Sequence, residues 1–303
     1  MFFNSRKEPR TVRQDYPDFD DHHQLMEKRG RRSTAERSAT EEYVTERINE
    51  ILNQENSNSG EGGDAETFNW IANLTECEAG AGLEEEENIR FASWENITEE
   101  ELAIRHPELG PGGSWKPLDC VARNKIAVII PYRNRHEHLI TLLSTLIPLL
   151  QRQKLDFRFI VTEQVGTELF NKGRIMNAAF VLAEKLGVDC VIFHDVDMIP
   201  EKLNVPYGCP DRQVAMHMGA YLDEFNYTQP YEILVGGVLA LNVEDYISVN
   251  GYSNLYWGWG AEDDDMGQRL LIRGINISRV DERHHYTMLK HKKRGEEQDF
   301  QLE

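Results

Sequence analysis

The stretch CVIFHDVD, residues 190–197, decides which fold the chain adopts. Residues 190–194 form a mostly apolar run, which is typical of a strand buried on both faces of a parallel sheet. Asp195 and Asp197 come where this strand ends. Side chains two residues apart along a strand point to the same side, so both carboxylates can reach one ligand.

Two strand and helix pairs precede this third strand. Apolar runs predict strands and apolar faces predict helices, in the chain order 126–131, 139–150, 157–161 and 174–186. This alternation is the pattern of a doubly wound α/β fold with a mostly parallel sheet. Such sheets bind ligands beyond the carboxyl ends of their strands, which is where the two aspartates fall.

The strand ends also carry groups suited to a phosphorylated ligand. Carboxylate oxygens suit Mn²⁺ or Mg²⁺, and either ion can bridge to a diphosphate, so Asp195 and Asp197 predict a metal site. Arg133 and Arg135 follow the first strand, where arginines are placed to bind phosphate. The alternative interpretation is a polar loop with surface arginines, especially at Arg135.

Composition narrows the class of protein. The chain has 303 residues and a formal net charge of −19, which argues against a nucleic-acid partner held through its phosphates. Residues 1–65 are charged and poor in apolar residues, so we expect a disordered stem with one short helix. Residues 66–303 then form the folded domain.

Several features concern the cellular compartment. Four N-glycosylation sequons begin at Asn73, Asn96, Asn226 and Asn276. Together with an even number of cysteines, none of them in a CxxC pair, they favour a protein of the secretory pathway and argue against a zinc site. The N-terminus has no apolar signal region and no run is long enough to span a membrane, so we expect no anchor within this chain.

A second unusual stretch covers residues 256–265. Two tryptophans alternate with glycines and then lead into four consecutive acids, Glu262 to Asp265, and a helix-like run that stops at Gly274. Helix capping and the helix dipole explain one or two of the acids. Because clustered carboxylates repel one another and are usually retained for a site, we expect at least one to take part in chemistry.

Six motifs together resemble the β1,4-galactosyltransferase family, whose enzymes transfer galactose or N-acetylgalactosamine from a UDP-sugar to N-acetylglucosamine. They run in family order at 129–135, 170–173, 195–197, 235–238, 257–265 and 288–291. The resemblance implies the GT-A glycosyltransferase fold, a Rossmann-like sheet flanked by helices. It also implies a Mn²⁺ cofactor, a UDP-sugar donor, a GlcNAc-terminated glycan acceptor and a location in the Golgi lumen.

The resemblance also implies where ligands bind. The metal ligands are Asp197, Met288 and His291, although a thioether is not a ligand that Mn²⁺ chemistry predicts. The residues that line the donor site are Pro131, Arg133, Arg135, Phe170, Lys172, Asp195, Leu234 and Gly237. Lys172 lies where the family usually has arginine, which keeps the charge but loses the planar fork.

The remaining roles follow from the same resemblance. Asp263 is the base of an inverting displacement, Glu262 and Asp264 hold the acceptor, and Tyr231 stacks on it. Trp259 closes over the donor on a loop made stiffer by Ala261, which replaces a usual glycine. The implied disulfides join Cys77 to Cys120 and Cys190 to Cys209.

The donor sugar depends on Leu234. Vertebrate galactosyltransferases carry tyrosine at this position and invertebrate N-acetylgalactosaminyltransferases carry leucine or isoleucine, so we favour UDP-GalNAc. Two alternatives stay open. The donor is UDP-Gal, or the chain binds a UDP-sugar or glycan without catalysis, because it ends at Glu303 within the family's acceptor-binding loop.

Overall fold

The computed structural model describes residues 74–84, 87–89, 97–258 and 260–290. The expected stem over residues 1–65, with its short helix, lies outside these ranges, as do Asn73, Asn96, Trp259 and His291. The domain division at residue 66 therefore stays a prediction. Within the described ranges, no helix is both long and apolar enough to cross a membrane.

Five helices and eight strands follow one another in the described part of the chain. In order they are α1 (Glu99–Arg105), β1 (Lys125–Tyr132), α2 (His136–Arg152), β2 (Asp156–Glu163), α3 (Lys172–Lys185), β3 (Cys190–His194), β4 (Met198–Pro200), β5 (Val214–His217), β6 (Val238–Asn242), α4 (Val243–Ser248), α5 (Glu262–Ile272), β7 (Asn276–Arg279) and β8 (Tyr286–Met288).

Six of these strands form the main sheet, in the order β2-β1-β3-β6-β5-β7. β1 runs parallel to β2 and β3, and β5 runs parallel to β7. Only β6 within this sheet runs the other way, antiparallel to both β3 and β5. The prediction of an α/β fold with a mostly parallel, Rossmann-like sheet is confirmed. β4 and β8 form a separate antiparallel pair beside it.

The sheet is buried on both faces, which explains the unbroken apolar run of β1. Alternate side chains of β1 point to opposite faces: Val128 packs in one core cluster with Leu142 and Leu146 of α2. Ile129 packs in the other cluster with Met176 of α3. The sheet therefore fixes where the carboxyl end of each central strand emerges.

Two disulfides join the cysteine pairs that the resemblance implied. Cys77 is bonded to Cys120 and Cys190 to Cys209. The second disulfide ties the first residue of β3 to the connection between β4 and β5. It therefore restrains the chain that follows Asp197.

A buried hydrogen-bonded chain runs from the end of β3 to β8. The His194 Nδ1–H donates to the backbone oxygen of Asp195 (3.0 Å), so Nε2 is the acceptor for the Tyr207 hydroxyl (2.9 Å). The Tyr286 hydroxyl in turn donates to the Tyr207 oxygen (3.2 Å). Burial lowers the pKa of His194 to about 4, so the imidazole is neutral and this pattern of donors and acceptors holds at neutral pH.

Replacing the middle hydroxyl of this chain is expected to cost more than replacing the outer one. Tyr207→Phe leaves the buried His194 Nε2 without a donor, which costs about 1–3 kcal/mol of unfolding free energy. Tyr286→Phe removes only one bond and is expected to cost about 1 kcal/mol. Urea unfolding of both variants tests this order, and a larger loss in Tyr286→Phe would contradict it.

Candidate functional site

The ammonium of Lys172 is the centre of a charged cluster at the carboxyl end of the sheet. Its Nζ lies 2.9 Å from Asp195, 3.2 Å from Asp263 and 3.7 Å from Glu262, each measured to a carboxylate oxygen. The side chains of Lys172 and Glu262 are only 7% and 8% exposed, while those of Asp195 and Asp263 are more open. One cation thus meets carboxylates from the end of β3 and the start of α5.

The start of α3 is fixed by contacts with Ser253 and Asn254, which precede the alternating tryptophans and glycines of residues 257–260. Asn171 accepts a hydrogen bond from the Arg174 amide, which caps the helix, and donates to the Asn254 oxygen (2.8 Å). Gly173 packs so closely that a Cβ there would lie 2.6 Å from the Ser253 oxygen. Only glycine fits this approach, and it places Lys172 beside α5.

Burial and charge set the protonation of the cluster in opposite directions. Burial raises the pKa of Asp263 to about 7, Glu262 and Asp195 raise it as well, and Lys172 opposes them. Burial alone would lower the pKa of Lys172, but Asp195, Asp263 and Glu262 together hold it well above its usual value. The site therefore keeps a permanent cation next to a carboxyl group that titrates near neutral pH.

Gly236 and Gly237 pack closely against the residues that carry or support the clustered carboxylates. A Cβ at Gly236 would lie 2.8 Å from Asp263 Oδ2, and one at Gly237 would lie 2.7 Å from the end of Met198. The Gly237 oxygen also accepts the Asp195 amide (2.8 Å). A side chain at either glycine would displace a neighbour, so the backbone here sets the spacing of the carboxylates.

The expected metal ligands Asp197 and Met288 are brought together by the small β4–β8 sheet. Met198 pairs with Met288 in register, and the Leu289 amide donates to the Asp197 oxygen (2.8 Å). The carboxylate suits a hard divalent cation, and the expected third ligand lies outside the described residues. In the part of the chain that the structure covers, no three His, Cys, Asp or Glu side chains group as a metal cluster.

The four consecutive acids of α5 have different partners. Glu262 and Asp263 face Lys172. Asp264 accepts a hydrogen bond from the Tyr231 hydroxyl (2.6 Å), and Asp265 pairs with Arg269 one turn later (2.5 Å). Each acid thus has a partner, which reduces the charge repulsion between them. Of the four, only Asp265 is paired with a residue of α5 itself.

Other residues expected at the donor site lie at the end of β1 and just before α3. The Arg133 guanidinium lies 5.1 Å from the centre of the Phe170 ring and donates to the Glu168 oxygen. Arg135 precedes α2 and donates to the Asn134 oxygen (3.3 Å). Pro131 is a buried residue near the end of β1.

Leu234 and Ala261 occupy positions that the motifs alone do not explain. Leu234 is half-buried, but Val235 rather than Leu234 lines the small space around Lys172. Ala261 precedes α5 with φ of 72°, a left-handed conformation that costs a residue with a Cβ about 1 kcal/mol. The Gly258 amide donates to the Phe170 oxygen (2.7 Å), which ties Gly258 to the segment just before α3.

Sequence reasoning missed the asparagine and histidine residues that hold this site. Asn171 and His217 are each completely buried and bond backbone oxygens of neighbouring segments. Asn171 lies within the quoted motif at 170–173, which was a signal that it matters. His217 lies in a short apolar run that resembles an ordinary strand, so nothing there indicated a polar contact.

The fold and the carboxylate-rich edge of the sheet define a GT-A glycosyltransferase domain. Residues 78–210 match the family model of the N-terminal region of glycosyl transferase group 7. Residues 216–292 match the model described as the N-terminal domain of galactosyltransferase. The chain belongs to the β1,4-galactosyltransferase family.

Individual relatives agree with this membership. The chain is 43% identical over 235 residues to β1,4-galactosyltransferase 5 of Sus scrofa, a match that covers 77% of this chain and 60% of that protein. The chain therefore spans about three fifths of the length of this curated relative.

Solved structures provide a further comparison. The catalytic domain of Drosophila β1,4-galactosyltransferase 7 with xylobiose is 29% identical, with a TM-score of 0.51 over 55% of this chain and 71% of that one. A mutant of the same enzyme in complex with manganese, UDP-Gal and xylobiose is 26% identical, with a TM-score of 0.50 over 56% and 74%. Both support the GT-A fold.

Removing the cation of the cluster is expected to destabilise the fold in a pH-dependent way. Lys172→Met leaves clustered carboxylates without their buried partner, which costs about 3–5 kcal/mol. The pKa of Asp263 rises further, so the folded state holds a proton that the unfolded state releases. Stability present at low pH is therefore lost as pH rises through the folded pKa.

Urea unfolding of Lys172→Met at about pH 5.5 and about pH 8 measures this effect. The matched control is Lys172→Arg, which keeps the charge, so its loss of stability relative to wild type is expected to change less between the two pH values. An equal loss of stability at both pH values in Lys172→Met would refute the electrostatic explanation.

Proposed function

We propose that the chain is an inverting, Mn²⁺-dependent glycosyltransferase that moves N-acetylgalactosamine from UDP-GalNAc to the 4-hydroxyl of a terminal β-linked N-acetylglucosamine. The acceptor glycan belongs to a glycoprotein or glycolipid. The observation that carries the proposal is the contact of Lys172 with Asp195 and Asp263 at the carboxyl end of the sheet. We also place the protein in the Golgi lumen, which its two disulfides support.

Asp263 is the base in this proposal. Its pKa of about 7 is close to the value at which a general base is both ionised and able to hold a proton. One carboxylate oxygen of Asp263 takes the proton of the acceptor hydroxyl as the hydroxyl oxygen forms its bond to the anomeric carbon. The bond from the anomeric carbon to the UDP oxygen breaks in the same step, which inverts the configuration.

The donor diphosphate is bound by cations from one strand end and one helix. Arg133 and Arg135 follow β1, and Lys172 opens α3. A divalent cation would be held by Asp197, Met288 and His291, and when bound it would offset charge on the departing UDP. The manganese in the complex of the Drosophila relative supports that choice of metal.

The acceptor is held by Tyr231 and the acids next to the base. The hydrogen bond from Tyr231 to Asp264 sets the tyrosine ring at the rim of the site, where it is 45% exposed and able to stack on a sugar. Glu262, which is buried beside Lys172, and Asp264 lie on either side of the base in the sequence and hold the acceptor in this proposal. Trp259 is the residue we expect to close over the donor and exclude water.

The donor sugar is proposed from Leu234. A leucine at the position where vertebrate galactosyltransferases have tyrosine leaves room for the 2-acetamido group. UDP-Gal is the second candidate, because the curated relative is named a β1,4-galactosyltransferase and UDP-Gal is the donor in the Drosophila complex. The two donors differ at a single ring position, so one pocket residue can decide between them.

Replacing the base is expected to stop transfer without stopping donor binding. Asp263→Asn removes the proton acceptor and lowers kcat about 10²–10⁴-fold. The assay uses Mn²⁺, a β-GlcNAc acceptor and each UDP-sugar in turn. The dissociation constant for UDP in the presence of Mn²⁺, measured by calorimetry, is expected to stay within a few-fold of wild type.

The control for this assay is Asp119→Asn, the same chemical change at an exposed carboxylate paired with Lys154. It is expected to keep full activity. A wild-type chain that binds UDP with Mn²⁺ but transfers neither sugar would favour the non-catalytic alternative. Full activity in Asp263→Asn would remove it as the base.

Enlarging Leu234 is expected to shift donor choice toward galactose. Leu234→Tyr narrows the space for the acetamido group and is expected to change the ratio of kcat/KM for the two donors by about 10–200-fold. Leu234→Ile conserves volume and serves as the control, with an unchanged ratio. Wild-type preference for UDP-Gal would overturn the donor proposal and leave the reaction class intact.

A further inference from the structure

The connection between the 3₁₀ turn at Asp223–Phe225 and β6 carries several of the proposed contacts with substrate. Tyr231 and Leu234 lie on it, and its last two residues, Gly236 and Gly237, pack against Asp263 and Met198. We call residues 229–237 the connecting segment. It has no helix or strand of its own, so its position depends on contacts from its neighbours.

His217 holds the carboxyl end of the connecting segment. It is the last residue of β5, is completely buried, and its Nε2 lies 2.8 Å from the Gly236 oxygen. A carbonyl oxygen only accepts, so Nε2 carries the proton and Nδ1 does not. Burial lowers the pKa of His217 to about 4, so one neutral tautomer persists at neutral pH.

Arg279 holds the middle of the same segment. It ends β7, is the register partner of His217 on the adjacent strand, and donates from Nη2 to the Glu232 oxygen. Gln229 also donates to the Tyr231 oxygen (2.9 Å) and the Leu234 oxygen (3.3 Å). Polar side chains thus hold four backbone oxygens of a segment without regular structure.

The cost of these contacts argues that they do more than fill the core. His217 Nδ1 and Arg279 Nε are buried and have no hydrogen-bond partner among the described residues. A buried polar atom without a partner costs about 1–3 kcal/mol, which a leucine at position 217 would avoid. The fold accepts this cost at two adjacent strand ends directly beneath the segment that touches Asp263.

We propose that His217 and Arg279 are positioning residues that hold the connecting segment, and through Gly236 the Asp263 carboxylate, in place for sugar transfer. This inference rests on the proposed function for its kinetic consequence. Its structural part, that these two side chains hold residues 229–237, is independent of which reaction occurs. Because a misplacement of about 1 Å can cost about 10²-fold in rate, loss of either contact is expected to lower turnover.

The test compares substitutions that keep or remove the donor. His217→Leu removes the hydrogen bond to Gly236, while His217→Gln offers an amide N–H at a similar distance from the backbone. Arg279→Met removes the bond to Glu232, while Arg279→Lys keeps a cationic donor. All four variants are made in the full chain. His217→Gln is the control for His217→Leu, and Arg279→Lys is the control for Arg279→Met.

The first measurement is amide hydrogen exchange without substrate. In His217→Leu, exchange in residues 229–237 is expected to quicken about tenfold or more, which is about 1.4 kcal/mol of lost protection. Peptides from β1 and β3 are expected to keep wild-type rates, and His217→Gln is expected to match wild type throughout. Unchanged exchange in the connecting segment of both His217→Leu and Arg279→Met would overturn the proposal, whatever the activity of the protein.

The second measurement is transfer kinetics with both donors. His217→Leu is expected to lower kcat about tenfold or more and to bring the kcat/KM values for the two donors closer together. The affinity for UDP in the presence of Mn²⁺ is expected to stay unchanged. A merely structural role would lower the melting temperature and the active fraction while the surviving enzyme kept wild-type KM and donor ratio, and that result would overturn the kinetic part. No transfer by wild type would count against the proposed function, and hydrogen exchange would still decide the positioning role.

Discussion

The ammonium of Lys172 is the interaction on which the site depends. It neutralises carboxylates from two parts of the chain, 23 and 91 residues further along. Without it, Asp195, Glu262 and Asp263 would repel one another in a partly desolvated space. The position of Lys172 depends in turn on the helix cap and the close packing at the start of α3. The charge balance of the site therefore depends on how this helix begins and on where the sheet places the carboxylates.

Close backbone approaches are the second constraint. A Cβ at Gly267 of α5 would lie 2.2 Å from the Ile233 oxygen, closer than a Cβ can approach a non-bonded oxygen. Helix α5 can therefore rest directly on the connecting segment, and Gly236 rests on Asp263 from the other side. Glycine is needed at Gly267 and Gly236 because any larger side chain would keep the backbone further from its neighbour.

Much of the fold follows from the sequence because buried parallel strands leave a strong signal. β1 and β3 lie within about a residue of their predicted bounds, and the helix predicted over 139–150 runs from His136 to Arg152, since its polar ends lie outside the apolar pattern. Strands β4 to β8 and the short helices α1 and α4 were not predicted. Strands of three or four residues have too little periodicity and are set by their partners.

The site divides in the same way. The aspartates after β3 and the four acids of α5 are visible as motifs, and the structure brings Asp195 and Asp263 to one cation. That shared cation could not be read from the sequence, because the contact depends on how three separate segments meet. His217 is hidden for another reason, since a single buried histidine in an apolar strand carries no pattern at all.

The choice of lysine at position 172 also has a physical basis in this geometry. An ammonium is a compact charge with three donors, so it can face three carboxylates at distances from 2.9 to 3.7 Å. A guanidinium would direct its planar fork at one carboxylate and leave the others less well neutralised. Because Asp263 is the carboxylate whose pKa lies near neutrality, the way Lys172 divides its charge decides how readily Asp263 accepts a proton. We therefore expect this single side chain to link the stability of the fold to the basicity of Asp263.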